Sequence, residues 1–194
     1  MKTQSFYAKR IQPIVFMAVV TIICIILTAA LHLYTYDQVK ENEQFFVWRS
    51  VLDSAAISHD GTPSDVVKLF DQYVTEDGDM YVVNTPEHGR RFVLEQTGPG
   101  LWGPITVMIG FEDDKTTLSG VSIVSQTETP GLGARIEEPW FTAQFAGKKG
   151  PSFKLVEEGT ASQPKEIDSI TGATRTSDAF KSIIEKAFVL AGGL

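Results

Sequence analysis

Twenty consecutive residues near the N-terminus, Ile14 to Leu33 (IVFMAVVTIICIILTAALHL), carry no fixed charge. As a helix rising about 1.5 Å per residue they span roughly 30 Å, the thickness of a bilayer's hydrocarbon layer. Pro13 precedes the run, where a first helical turn loses nothing by its missing N–H. Tyr34 and Tyr36 follow it, at the level of an interfacial aromatic belt. A cleaved secretory signal is the alternative reading. Its apolar region is usually shorter, roughly 7–15 residues, and ends in an A-x-A-like site, which Ala29-Ala30-Leu31 does not provide. Cys24 lies mid-run without the small residues of a lipoprotein site. The run therefore reads as a retained signal-anchor.

Charge gives the orientation. Lys2, Lys9 and Arg10 precede the span, while all 24 acidic residues of the chain lie from Asp37 onward. The positive flank is expected to stay in the cytoplasm and the rest of the chain to lie on the extracytoplasmic, periplasmic side of a cytoplasmic (inner) membrane crossed once. A net charge of -7 argues against nucleic acid as a partner. A single Cys excludes an intrachain disulfide framework. His32, His59 and His88 show no metal-ligand spacing, so no metal site is expected.

Beyond the span, residues 37–57 suggest a helix continuing from it. Thr62-Pro63-Ser64-Asp65 resembles a second helix start, followed by helical periodicity through Val66, Val67, Leu69, Phe70, Tyr73 and Val74. Glu76-Asp77-Gly78-Asp79 lacks calcium-loop spacing and reads as a solvated turn. Short β-branched runs then predict strands at Met80–Val83, Arg91–Glu95, Ile105–Phe111 and Leu118–Ser125. The last two form an antiparallel hairpin about Glu112-Asp113-Asp114-Lys115. Glu137–Phe145 reads as a short helix closed by Gly147, and Phe153–Val156 as a strand. Phe180, Ile183, Ile184, Ala187, Phe188 and Ala191 repeat at helical spacing, with Ser177 near the expected cap. The expected fold is a compact α+β domain of antiparallel strands and flanking helices behind one N-terminal transmembrane helix.

Three loops invite chemistry. Gly98-Pro99-Gly100-Leu101-Trp102-Gly103 satisfies GxGxxG, yet Pro104 and a β-branched run follow where a dinucleotide fold needs a helix. It reads as a tight glycine loop feeding a strand. Glu128-Thr129-Pro130-Gly131-Leu132-Gly133 would form a sharp turn, with a leucine able to lie on a planar ligand or simply a generic loop. Asp168 to Ser177 (DSITGATRTS) precedes the last helix. Small Gly172 and Ala173 leave the Thr174 hydroxyl accessible for a phosphate ester, with Arg175 near in sequence. The residues suit a plain capping loop equally.

Together these motifs resemble a known family. Asp168-x-x-Thr171-Gly172-Ala173-Thr174 matches the D-x-x-(S/T)-G-A-T signature of bacterial FMN-binding domains that hold FMN by a phosphoester to the final threonine, and Glu128–Gly133 matches their ETPGLG loop. The order of glycine-rich loop, strand, ETPGLG, Trp140…Gln144-Phe145-x-Gly147-Lys148 and TGAT is similar to the G subunit of Rnf electron-transport complexes. It is similar also to the C subunit of the sodium-pumping NADH:quinone oxidoreductase (Nqr). The likeness covers about residues 80–190.

The resemblance implies covalent FMN on Thr174, attached by a separate flavin transferase. Asp168 would shape the acceptor loop, with Thr171, Gly172 and Ala173 as backbone around the phosphate. Thr129 and Leu132 would contact the ring. Gly100, Leu101 and Trp102 would line the same pocket, though Trp102 suits an ordinary core as well. The implied role is an electron-carrier subunit, not catalytic alone, in a membrane complex that moves Na+ or H+, with the other membrane subunits as partners. The implied layout is a cytoplasmic N-terminus over 1–12, the signal-anchor helix over 13–36, a juxtamembrane helical region over 37–78 and a covalent-FMN-binding domain over 79–194. Two alternatives stay open: a flavin-free membrane-anchored assembly subunit, and a stand-alone exported FMN-domain electron-transfer protein. For a hydrolase, no nucleophile–base pair can be named.

Overall fold

The computed structural model describes residues 11–192, so Lys2, Lys9 and Arg10 of the expected cytoplasmic N-terminus lie outside the described residues. The chain forms two compact units, the first ending at Gln44 and the second beginning at Phe45. Helix α1 (Gln12–Ser54), 43 residues long, contains the expected span. Between Ile14 and Leu33 its large apolar side chains are exposed, and by length and composition it can cross a membrane. The Thr28 hydroxyl donates to the Cys24 carbonyl at 2.8 Å and that of Thr35 to the Leu31 carbonyl at 3.0 Å, so these hydroxyls are satisfied within the helix.

The second unit is built on a five-stranded antiparallel sheet in the order β1-β2-β3-β4-β5. The strands are β1 (Val74–Asp77), β2 (Met80–Thr85), β3 (Gly89–Pro99), β4 (Pro104–Glu112) and β5 (Leu118–Ser125). Alternation along β4 divides the sheet's two faces. Ile105, Val107, Ile109 and Phe111 join one apolar cluster with helix α4 (Thr174–Ala191), whereas Met108 joins another with Val51 and Ala55 at the end of α1 and Phe70 of helix α2 (Pro63–Tyr73). Both faces of the sheet are thus covered.

The α2 start follows its sequence signal: Pro63 takes the first turn and the Thr62 hydroxyl accepts the Asp65 N–H at 3.3 Å. The end of α1 is fastened to the sheet. Buried Arg91 donates to the Ala55 carbonyl and forms a forked pair with Glu112, its register partner across β3 and β4. Gly110 and Gly120, also register partners, admit the Ser54 carbonyl, which would lie 2.0 Å and 2.9 Å from a Cβ at these two positions.

The expected β4–β5 hairpin is present, as is the amphipathic last helix, whose Phe180, Ile183, Ile184, Ala187, Phe188 and Ala191 are all buried. Several boundaries differ. Val74 opens β1 instead of closing α2, and Glu76 and Asp77 belong to that strand, leaving Gly78-Asp79 as the turn into β2. The helix expected over Glu137–Phe145 is divided into a 3-10 turn (Gly133–Glu137) and a short α3 (Pro139–Ala143), because Pro139 cannot continue the preceding turn. Strand β6 (Lys154–Val156) pairs in parallel with an unforeseen β7 (Glu166–Asp168). Helix α4 begins at Thr174, so Ser177 lies buried within its first turns rather than at its cap.

Candidate functional site

Thr174 is exposed as the first residue of the 18-residue α4. Ala173 occupies the cap position, no side chain caps the helix, and no acidic residue falls in its first turn. The first-turn N–H groups and the positive end of the helix dipole are therefore available to an anion beside the Thr174 hydroxyl. Arg175, next in the chain, is exposed.

The approach to this helix is shaped from below. Ser177 accepts the Ile170 N–H at 3.0 Å and donates to the Ala173 carbonyl at 3.1 Å, tying the loop to the helix it enters. Gly172 turns the chain in the left-handed region (φ 80°), and a Cβ there would stand 3.2 Å from Leu132 Cδ2. The 128–133 loop therefore packs directly on the 168–174 loop.

Asp168 ends β7. Its Oδ1 accepts the Thr160 and Ala161 N–H groups at 2.9 and 2.7 Å, and its own N–H donates to Gln144 Oε1 at 2.7 Å. Its contacts brace the turn ahead of the loop. Glu158, which carries no motif in the sequence, joins two of the motifs. It accepts the Thr171 N–H at 2.8 Å and a 2.9 Å hydrogen bond from Arg135 in the 3-10 turn after Gly133. The Arg135 guanidinium and the Thr171 N–H hold the Glu158 carboxyl at about 2, well below the usual carboxylate range.

The third loop closes the group. Strands β3 and β4 pair as far as Pro99 and Pro104, leaving Gly100-Leu101-Trp102-Gly103 as a tight hairpin tip with the Gly100 N–H on the Gly103 carbonyl at 2.8 Å. Glu128 is buried, 5% exposed, with one oxygen on the N–H groups of Leu101 and Trp102 at 2.8 and 3.0 Å and the other accepting the Thr176 hydroxyl at 2.6 Å. The Thr129 carbonyl accepts the Leu132 and Ala134 N–H groups, both at 3.1 Å, which curls the rest of that loop.

The expected site residues thus fall into one neighbourhood, except that Asp168 supports it from outside. Leu101, Trp102 and Leu132 are 44%, 70% and 45% exposed. Trp102 is therefore not a core residue. Exposed apolar side chains beside an exposed hydroxyl and an uncapped helix start fit a group having both a planar apolar ring and a phosphate, as FMN has. Sequence reasoning does not find Glu128 as a buried group or Thr176 as its partner, because a loop carboxylate and a helix threonine ordinarily face solvent. The glycines at 100 and 133, which leave room for the Glu128 side chain, are the available signal.

Comparison with known proteins agrees with this chemistry. Residues 100–189 match the family model described as FMN-binding domain. Among curated proteins, the C subunit of the Na(+)-translocating NADH-quinone reductase of Vibrio anguillarum is 35% identical over 108 residues, covering 52% of this chain and 42% of that protein. The chain thus spans less than half the length of this relative. The G subunit of the ion-translocating oxidoreductase complex of Methanosarcina acetivorans is 28% identical over 182 residues, covering 90% of each. Among solved structures, the C subunit of the Na(+)-translocating NADH-quinone reductase of Parabacteroides distasonis superposes with a TM-score of 0.67 at 26% identity, covering 79% of this chain and 92% of that one. The NqrC of Shewanella oneidensis shares the fold, with a TM-score of 0.65 at 18% identity over 76% of this chain and 97% of that one.

Proposed function

We propose, from the match of residues 100–189 to the FMN-binding domain model, that the protein is a membrane-anchored flavin carrier with FMN esterified through its phosphate to Thr174. The observation that carries this reading is the exposed Thr174 hydroxyl at the uncapped start of α4, inside the matched domain. A separate flavin transferase makes the ester. A tether of this kind keeps the cofactor at a fixed effective concentration where a dissociating one would be lost to the medium.

When bound, FMN supplies the redox chemistry, taking up and giving back electrons. The chain's own residues bind and orient it. The first-turn N–H groups of α4 would receive the phosphate, with the backbone of Thr171, Gly172 and Ala173 forming the loop around it. Leu132, Leu101 and Trp102 present apolar surface to the ring and exclude water from one side of it, with Thr129 beside them in the ETPGLG loop. Asp168 holds the turn beneath the acceptor loop.

The relatives are subunits of a Na(+)-translocating NADH-quinone reductase and of an ion-translocating oxidoreductase complex, and the near end-to-end match with the Methanosarcina acetivorans protein, together with the motif order, supports an Rnf-type complex as the setting. Here the chain relays electrons between other membrane subunits of a complex that couples the transfer to Na+ or H+ movement. Ile14 to Leu33 contains no charged side chain, so this span lends no ion path and serves as an anchor. The basic residues ahead of it keep the N-terminus cytoplasmic and the flavin domain on the extracytoplasmic side of the inner membrane.

The test is to express the full chain with a flavin transferase, denature it and look for flavin fluorescence in the gel band. The wild type is expected to fluoresce and Thr174→Val to be dark. Fluorescence surviving in Thr174→Val would put the acceptor elsewhere.

A further inference from the structure

Buried carboxylates are costly unless hydrogen-bond donors surround them, and Glu128 is surrounded by three. Those donors come from two different elements. Leu101 and Trp102 belong to the β3–β4 hairpin tip, 27 and 26 residues earlier in the chain, and Thr176 lies on α4, 48 residues later. A Cβ on Gly100 would lie 2.5 Å from Glu128 Oε1, and a Cβ on Gly133 would lie 2.8 Å from both Glu128 Oε2 and the Thr176 hydroxyl oxygen. Neither glycine has a left-handed φ. Both positions are therefore glycine for space, and the space is filled by this carboxylate. The tip's second glycine, Gly103, is similarly pressed by Thr127, whose hydroxyl oxygen would stand 2.1 Å from a Cβ there.

We infer that Glu128 is a positioning residue of the flavin site: it clamps the hairpin tip, with Leu101 and Trp102, to the first turn of α4, so that the apolar wall stands at a fixed place relative to Thr174. This rests on the flavin reading above for its purpose, while the clamp itself is a property of the folded chain. Thr176 is two residues past the acceptor, so one carboxylate joins the wall to the turn that bears the cofactor. Trp102 is 70% exposed, so packing of its own ring does little to hold the tip.

The experiment uses the full chain in detergent, prepared with and without the flavin transferase, as wild type, Glu128→Ala, Glu128→Gln and Thr176→Val. Without flavin, the readout is amide hydrogen exchange at Leu101 and Trp102. Losing a charge-assisted acceptor is expected to speed exchange there by about tenfold or more in Glu128→Ala. Glu128→Gln, which keeps an acceptor oxygen, is expected to restore most of the protection. With flavin, loading of Thr174 is expected to persist in Glu128→Ala, while the emission and polarisation of the attached flavin move toward those of the denatured, loaded chain. Thr176→Val removes only the helix half of the clamp and is expected to change the flavin signal in the same direction, which keeps the test valid should Glu128→Ala fail to fold.

Unchanged exchange at Leu101 and Trp102 in Glu128→Ala would overturn the clamp, as would an unchanged flavin signal in Thr176→Val if only that variant folds. Faster exchange with an unchanged flavin signal would overturn the positioning role alone. A wild type that takes up no flavin would overturn the flavin reading, and with it the role toward flavin, while the exchange result would still decide whether the clamp exists.

Discussion

At Glu158 a single side chain joins two stretches that are separate in the sequence, the turn after the ETPGLG loop and the loop before Thr174. Its folded pKa of about 2 lies below the ordinary value of 4.5, so the ionised form is favoured by folding. The stabilisation is therefore complete above pH 4.5 and is lost as pH falls from there toward 2. Glu158→Gln is expected to flatten the fall in stability over that acidic window relative to wild type, as measured by denaturant midpoints at successive pH values. Thr171, Gly172 and Thr174 are readable as a loop with an accessible hydroxyl because small residues and a following helix are local signals. Glu128 and Glu158 are not, since their burial or pairing depends on donors that only the folded chain brings near.

Helix α4 is the element on which the site stands, and its position is set by aromatic packing. Phe180 is fully buried, with ring centres 5.4 Å from both Phe141 of α3 and Phe145. Gly98 of β3 leaves room for Ile183, whose Cγ1 would lie 2.5 Å from a Cβ there. Phe180→Ala is expected to cost about 3–5 kcal/mol of stability, read from chemical denaturation of the full chain. The apolar stripe of α4 is visible at its 3.6-residue period, and the β4–β5 hairpin in two β-branched runs around an acidic turn. The sequence suggests too late a start for α4 because Ser177 has the composition of a cap, while its hydroxyl bonds to Ile170 and Ala173 inside the fold. Strands β1 and β7 escape a reading by pattern for a related reason. At four and three residues they are too short to show alternation, and pairing alone makes them strands.

The whole molecule comprises an apolar helix long enough to cross a bilayer and a sheet covered on both faces, with three loops gathered about the start of α4. The span and its charge asymmetry are legible in the sequence because they need no partner residues. The architecture around the sheet is legible only in outline, because which helix covers which face depends on contacts such as Arg91 with Ala55, 36 residues apart. Mass spectrometry of the intact full chain, made together with a flavin transferase and followed by peptide mapping, tests the central claim most directly. A covalent flavin carrier predicts a mass raised by one FMN less one water, located on Thr174. A chain of unmodified mass from that preparation, or the addition mapped to another residue, would contradict it.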